Sequence, residues 1–522
     1  MIAADPRDLL PAGHLVWGLL EQAAQLDMTV FEARYRADGQ GGVPYDPRMM
    51  CSLLLYCYCK GARSSREIEM ATYDDVGARV ICCGEHPDHA SVARFVVRHE
   101  EEIRGLLPQS VTACAREGLV RVDVVAGDGT KLKASASMDA TVTVAKLEEQ
   151  IADLEALAAA EVEAWVQQHL AADDADAAVP APRPAGGDGE PPAAVPKRAA
   201  QTLARRRHAR AQADARARAA AARDQPKVQA RVTELEQRLE RKLAAAAAAL
   251  AQAEARWQRW HDREAAAAAR GRNVFGNKPK APEQDRDVIR TREQVTRIRL
   301  QLEAPAAPAG AGPDARVNTT DPASRIMPLK KGGYDQLFNV QALATAGTQV
   351  IIAIMRHDSP CDMDALHPLL AAARQVLAAA GITGKILKAV FDTGYASSAN
   401  FTADPGGTGL YVAVTRDARQ AGRSSDGRDP ASVTEPGWPE MTARLATPEG
   451  QAVYKKRSPT IEPVFAQLTN RLGHDLRYRG DLTDAELSLW AASHNILKAI
   501  TAAAARKARQ ARTAAAAIPA AA

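Results

Sequence analysis

Apolar residues change their spacing three times along this chain, and each change predicts a different kind of structure. Up to about residue 118 they recur at helical intervals. MMCSLLLYCYCK, introduced by Pro44-Tyr45-Asp46-Pro47, predicts a buried helix, and Gly61-Ala62-Arg63 then turns the chain. Ser64 with Glu67 three residues later is a capping-box pattern for the next helix. Pro87-Asp88-His89-Ala90-Ser91 opens another, expected as one long helix carrying Phe95, Val96, Ile103, Leu106 and Leu107. Helix, short glycine turn and helix, with Arg63, Arg66 and Arg94 nearby, suit a DNA-binding unit; a plain helical bundle fits the same pattern.

From Leu119 the pattern becomes strand-like in LVRVDVVAGDGTKLKA, which is rich in β-branched residues. Residues 140–315 then leave any compact pattern. VAKLEEQIADLEALAAAEVEAWVQQHL reads as an acidic helix, and VPAPRPAGGDGEPPAAVP as a disordered Pro/Gly linker. A long basic, Ala-rich helix follows, with Val228, Val232, Leu235 and Leu239 at the 4-3-4 spacing of a coiled-coil hairpin. Strand patterns return in YDQLFNVQALAT and TQVIIAIMRHD, a hairpin across Ala346-Gly347-Thr348. A helix over 362–380, the strands GKILKAVFD and LYVAVTR, a helix from near Pro459 and a last helix DAELSLWAASHNILKAI complete the order.

With 140–315 set aside, these elements predict an α/β fold: a mixed five-stranded sheet with helices on its faces. The chain thus divides into an all-helical N-terminal domain (1–118), the first part of the sheet domain (119–139), a charged helical insertion (140–315), the rest of the sheet domain (316–500) and a basic tail (501–522) expected to fray.

Composition narrows this picture. The 46% hydrophobic content is largely alanine and aromatics are only 4%, so the core is smaller than 522 residues suggest. The net charge of +4 hides segregation: residues 141–196 carry 11 acidic and 2 basic side chains, residues 197–300 carry 26 basic and 12 acidic. The basic block suits a polyanion, with a solvated helix face as the other reading. Seven cysteines, at 51, 57, 59, 82, 83, 114 and 361, show no paired CxxC spacing and read as reduced thiols of a cytoplasmic protein. Neither a signal-peptide pattern nor a membrane span is expected.

Three acidic positions carry the candidate chemistry. Asp128 lies in a strand-like run, Asp392 ends another, and Glu462 opens a helix-like run. Basic residues flank all three: Lys131 after the first, Lys388 before the second, and Lys455, Lys456 and Arg457, next to Tyr454, before the third. Phosphodiester cleavage needs an activated nucleophile and relief of charge on the leaving oxygen, which two Mg²⁺ ions about 4 Å apart provide. Mg²⁺ prefers carboxylate oxygen. The arrangement therefore reads as a two-metal nucleic-acid site, with Asp128 bridging, Asp392 on one ion and Glu462 on the other. In NTTDPASRIMPLKKGGYDQLFNVQ, Thr319, Thr320, Asp321, Arg325, Lys330 and Lys331 suit phosphate contacts, or a plain sheet-entry loop. Asp362 is expected to cap its helix, and His494-Asn495 to pack.

Several strings together resemble a known family: YDPRMM, SSREIE and PDHASVARF; DGTKLKASAS; NTTDPASRIM; FDTGYAS; YKKRSPTIEPVFAQL; and RYRG with SHNILK. The chain resembles the bacterial insertion-sequence transposases of the DDE type, in the eleven-eighty-two group. The resemblance implies an RNase H-like catalytic fold, a helical N-terminal domain that binds DNA ends, and Mg²⁺-dependent strand cleavage and transfer, with Mn²⁺ substituting. It puts the catalytic triad on Asp128, Asp392 and Glu462. The family's tyrosine and arginine match Tyr454 and Arg457, here at Tyr-x2-Arg-x4-Glu, one residue longer than the spacing in some related groups. The implied partners are double-stranded DNA, as terminal inverted repeats and target, and further copies of the chain in a homodimer or larger synaptic assembly. The resemblance further implies that no membrane is involved and that the location is the bacterial cytoplasm, at the nucleoid. Two other readings are an RNase H-like nuclease that cuts without joining, and a DNA-binding protein derived from a decayed transposase.

Overall fold

The computed structural model describes residues 5–35, 44–176, 197–270, 273–274, 276–302, 312–329, 332–403, 406–414 and 435–516. The predicted Pro/Gly linker and Lys330 and Lys331 lie outside the described residues. The chain forms two compact units, one of residues 1–141 with 320–522 and one of residues 142–319.

The first unit begins with eight helices: α1 Leu15–Ala23, α2 Thr29–Glu32, α3 Pro47–Lys60, α4 Ser65–Asp74, α5 Val76–Ile81, α6 His89–Arg98, α7 Glu100–Arg104 and α8 Leu106–Arg116. Local chemistry sets their ends. Asp46 and Asp88 cap α3 and α6, and Ser64 with Glu67 forms the expected capping box on α4. Gly61 closes α3 at φ +95°, where a side chain would be strained. From Met50 to Cys59 every residue of α3 is buried. The single long helix expected after Asp88 is three helices instead. His99 leaves the helical region (φ −111°, ψ 33°) and is buried against the rings of Phe31, Tyr35 and Phe95. Ile103, Leu106 and Leu107, beyond the break, are buried.

The strands of this unit are β1 Val124–Lys133 and, after the insertion with its own β2 Thr141–Thr143 and β3 Arg316–Asn318, β4 Arg325–Pro328, β5 Tyr334–Thr345, β6 Ile351–His357, β7 Lys388–Phe391 and β8 Gly409–Val412. They form a mixed sheet in the order β4-β5-β1-β7-β8, with β6 also paired to β5. Six strands are present rather than five. The extra one is β4, which takes the part of β5 (Tyr334–Leu337) that the shorter β6 leaves open. β1, β5 and β6 are antiparallel neighbours; β1, β7 and β8 run parallel. A Cβ on Gly127 would lie 2.2 Å from the Phe391 ring, so only glycine lets β7 pack this closely on β1.

Helices α12 Leu366–Ala379, α13 Ser398–Thr402, α14 Trp438–Ala446, α15 Pro448–Tyr454, α16 Arg457–Leu472 and α17 Leu482–Ala516 complete the unit. The last of these ties the N-terminal helices to the sheet. Asn495 accepts from the Ile351 amide (2.9 Å) and donates to the Ile351 carbonyl (2.9 Å) and to Ser110 (3.1 Å), while His494 meets the Gln349 carbonyl at 2.9 Å. These two residues therefore pack, as expected. The basic stretch after residue 500 does not fray at its start. It continues α17 to Ala516, with Arg506 on Glu117 (2.9 Å) and Lys507 on Glu21 (2.8 Å). All seven cysteines are free, and five are buried.

In the second unit, α9 Val144–Asp176, the 72-residue α10 Lys197–Ala268 and α11 Arg286–Leu302 pack together, and β2 pairs with β3. The acidic α9 meets the basic α10 through Glu148–Arg210 (2.7 Å) and Glu155–Arg207 (2.6 Å), so part of the charge segregation is satisfied internally. Val144, Leu147, Ala209, Ala213 and Val317 form a small core.

Candidate active site

Parallel pairing of β1 with β7 brings the first two acidic residues together. The register sets Val124 against Lys388, Val125 against Ala389 and Ala126 against Val390. Two residues further on, Asp128 and Asp392 stand side by side. Each carboxylate is held by the chain just beyond it: Gly129 N–H donates to Asp128 Oδ1 and Gly394 N–H to Asp392 Oδ1, both at 2.8 Å. Burial pushes the Asp128 carboxyl up to about 6; the Asp392 charge adds to this and Arg457 opposes it. Asp392 is likewise raised, chiefly by burial. Two neighbouring carboxylates, short of solvent and repelling each other, gain most from a cation between them.

Glu462 arrives on α16, which packs on β1. Its link to the pair is Arg457, one turn earlier. The guanidinium donates to Asp128 Oδ2 at 3.0 Å and reaches Glu462 Oε1 at 3.5 Å. Glu462 itself is 57% exposed, against 23% for Asp128. Among the described residues, no three His, Cys, Asp or Glu side chains converge closely enough to hold one ion. Asp128 and Asp392 thus fit a hard cation as a pair, with Glu462 beside them on an arginine.

A fourth carboxylate stands next to this pair. Asp362 makes no cap hydrogen bond, contrary to expectation. Its Oδ1 accepts instead from Asn339 Nδ2 (2.8 Å) and Gln341 Nε2 (2.7 Å). Both amides project from β5 and are buried, and Gln341 also accepts from the buried Tyr395 hydroxyl. Asn339 and Gln341 escaped the sequence reading. The available signal was two amides, two residues apart, in the apolar run LFNVQALAT. Polar groups on one face of a buried strand need a partner.

The basic residues divide. Arg66, Arg94, Lys131, Lys455 and Lys456 are exposed, and Tyr454 is half-buried. Arg63 is a correction: it is 4% exposed, donates to the Asp475 carbonyl and carboxylate, lies 3.6 Å from the fully buried Glu486 and packs on the Trp490 ring. No DNA phosphate reaches it there. Arg325 is largely committed as well, donating to the carbonyls of Ala323 and Ser324 (both 3.1 Å) beside Asp358 (3.4 Å). Asp321 is buried and accepts from the amides of Ala323 (3.2 Å) and Gly480 (3.3 Å), which is the sheet-entry reading of that loop.

Comparison with known families gives two matches. Residues 5–98 match a family described as Transposase domain (DUF772), and residues 434–500 match one described as Transposase DDE domain. The second contains Tyr454, Arg457 and Glu462; Asp128 and Asp392 lie outside both. No curated protein and no solved structure matches the chain. Among the described residues, no helix is long and apolar enough to cross a membrane.

Proposed function

Taking this chain as an insertion-sequence DDE transposase, the family its two domain matches support, we propose that it binds the ends of its element and cuts and joins DNA at Asp128, Asp392 and Glu462. The observation that carries this reading is the β1–β7 register, which sets Asp392 beside Asp128 at the sheet's centre. The strand order β6-β5-β1-β7-β8, antiparallel in its first three members and parallel in its last, supports an RNase H-like sheet.

Asp128 and Asp392 would hold the divalent metal, Mg²⁺ with Mn²⁺ able to replace it, and Glu462, which Arg457 links to them from α16, would be the third carboxylate of the set. When bound, the metal supplies an activated hydroxyl and neutralises charge on the leaving oxygen. The chain's own residues do the rest. The Gly129 and Gly394 amides fix one oxygen of each aspartate, and the second oxygen of Asp128 accepts from Arg457. Arg457, already on Asp128, supplies a planar donor pair suited to a phosphate. Lys131, Tyr454, Lys455 and Lys456 line the approach, and Arg66 and Arg94 on the N-terminal helices contact the backbone of the element's end. Water attack frees a 3′-OH, and that hydroxyl then attacks target DNA in a homodimer or larger synaptic assembly.

The test is a cleavage-and-joining assay on the DNA that flanks this gene, with Mg²⁺, comparing wild type with Asp392→Asn. Nicking at the element boundary with joined products is expected, and a loss of more than about 100-fold in the variant with DNA binding kept. Cutting without joining would make the protein a nuclease. Binding without cutting in either protein would make it a DNA-binding protein only.

A further inference from the structure

We propose that Gln349 is a positioning residue for the reaction: its side chain holds the first turns of α16, and with them Arg457 and Glu462, in place beside Asp128. The inference rests on the strand-cleavage reading above.

The need for it begins in the sequence of α16. Pro463 sits inside this helix, directly after Glu462. Proline has no N–H, so the carbonyl four residues earlier, that of Pro459, loses its regular helical donor. Among the described residues, no side chain caps the helix start at Lys456 either. Both defects fall in the turns that carry Arg457 and Glu462, where unpaired backbone groups favour fraying.

Gln349 supplies what Pro463 withholds. Its Nε2 donates to the Pro459 carbonyl at 3.0 Å. Its Oε1 accepts from Lys498 Nζ on α17 and from Gln467 Nε2 on α16, both at 3.3 Å. Only this orientation of the carboxamide matches each donor with an acceptor. One side chain thus joins the bare carbonyl near the start of α16 to a later turn of the same helix and to α17.

The turn that presents Gln349 is set for that reach. Gln349 stands between β5 and β6, half-buried, at φ +58°. A long side chain is strained in this left-handed region and persists there where its surroundings impose it. Here the Gln349 N–H donates to the Thr345 carbonyl (2.8 Å), and the Gln349 carbonyl meets His494 (2.9 Å). A hairpin that only had to reverse the chain would take glycine at this position. The glutamine bears the strain and crosses to α16 instead. It does so from the end of β5, the strand that pairs Ala342 with Asp128, so the anchor ties the helix of Arg457 and Glu462 to the same strands that hold Asp128.

The experiment uses the full chain and the flanking DNA with Mg²⁺, and measures cleavage rate at saturating DNA, DNA affinity and melting temperature. It compares wild type, Gln349→Glu, Pro463→Ala and the double variant, with Asp392→Asn as the inactive control. Gln349→Glu keeps the length and the acceptor for Lys498 and removes the donor to Pro459. Pro463→Ala gives the Pro459 carbonyl its own helical donor. Gln349→Glu is expected to lower the cleavage rate about 10- to 100-fold, with DNA affinity within about twofold of wild type. In the Pro463→Ala background the same change is expected to lower it less than about threefold. A residue that only stabilised the fold would lose the same factor in both backgrounds. Amide exchange is expected to quicken in residues 460–465 and stay unchanged in 466–472. Gln349→Asn, suited to the left-handed turn but one methylene too short, serves if Gln349→Glu does not fold. An unchanged rate, an equal loss in both backgrounds or unchanged exchange in 460–465 would overturn the inference and leave the proposed function standing. No cleavage by wild type would overturn both.

Discussion

In the sheet-bearing unit the buried positions include Trp490, Tyr56, Tyr58 and Phe391, beside wholly buried polar groups such as Gln341, Glu486 and Asn495; in the insertion the buried positions of α10, among the described residues, are the alanines Ala209, Ala213 and Ala253. Large side chains interlocked with hydrogen-bonded polar groups permit one arrangement and exclude its neighbours. A site that must hold two repelling aspartates side by side needs that uniqueness. Alanine buries little surface, so α10 leans on opposite charges such as Arg210–Glu148 and Arg256–Asp285, beside the Val144, Leu147, Val288, Val295 and Ile298 that α9 and α11 bury. Such exposed pairs contribute little each and weaken with salt. The same chain therefore builds a rigid unit around its chemistry and a long helical one with a thin core.

The sharpest way to break this comparison is to remove one buried charge. Arg63→Ala leaves Glu486 without its cation in the core, and denaturant unfolding of the full chain should show a loss of about 3–5 kcal/mol. A loss under 1 kcal/mol would mean that the N-terminal helices are not locked to α17 through this contact.

Next in size is the effect of pH on metal binding. The Asp128 carboxyl is raised to about 6, so a proton competes with metal below that pH. Mn²⁺ affinity should fall about tenfold per pH unit below 6 and be flat above it. Without metal the sign reverses. Between pH 3.8 and 6 the folded protein keeps a proton that the unfolded chain has released, so its stability falls as pH rises through that window. Melting in chelator and in Mn²⁺, for wild type and Asp128→Asn, separates this group from Glu486, which is raised to about 7 and slopes the same way. Equal slopes in wild type and variant would remove Asp128 from the account.

Smaller effects follow from the insertion and the surface. Replacing residues 144–314 with a short Gly/Ser link should leave the sheet-bearing unit folding cooperatively, within about 2 kcal/mol of wild type. Loss of the cooperative transition would show that the sheet depends on the insertion. Arg66→Ala, on the exposed face of α4, should change stability by less than about 0.5 kcal/mol. It should lower DNA affinity only a few-fold, and lower the dependence of binding on salt by about one phosphate contact. An unchanged salt slope would take Arg66 off the DNA.

Much of the fold was legible because it is local. The strand-like run YDQLFNVQALAT outlines β5 from end to end, and Ser64 with Glu67 marks the start of α4. The three candidate acids stood out through their flanking glycines and cations. What escaped depended on contacts distant in sequence. Arg63 and Arg66 look alike in the sequence, yet Glu486 and Trp490, far along the chain, bury the first and leave the second in solvent. Asp362 read as a helix cap because its partners, Asn339 and Gln341, lie on a strand whose neighbours only folding brings near. The break at His99 comes from a pocket of rings contributed by α2, α6 and the turn at Tyr35.

By itself, the sequence determined the period of each segment, the caps and glycines that end it, and the presence of carboxylates and cations suited to phosphodiester chemistry. These are properties of a residue and its near neighbours. The tertiary structure alone decided which carboxylates stand together and which arginines face solvent. Strand register, the pairing of β1 with β7 across the insertion and the burial of α17 are set by the best common packing of the whole unit, and no local stretch of chain contains that information.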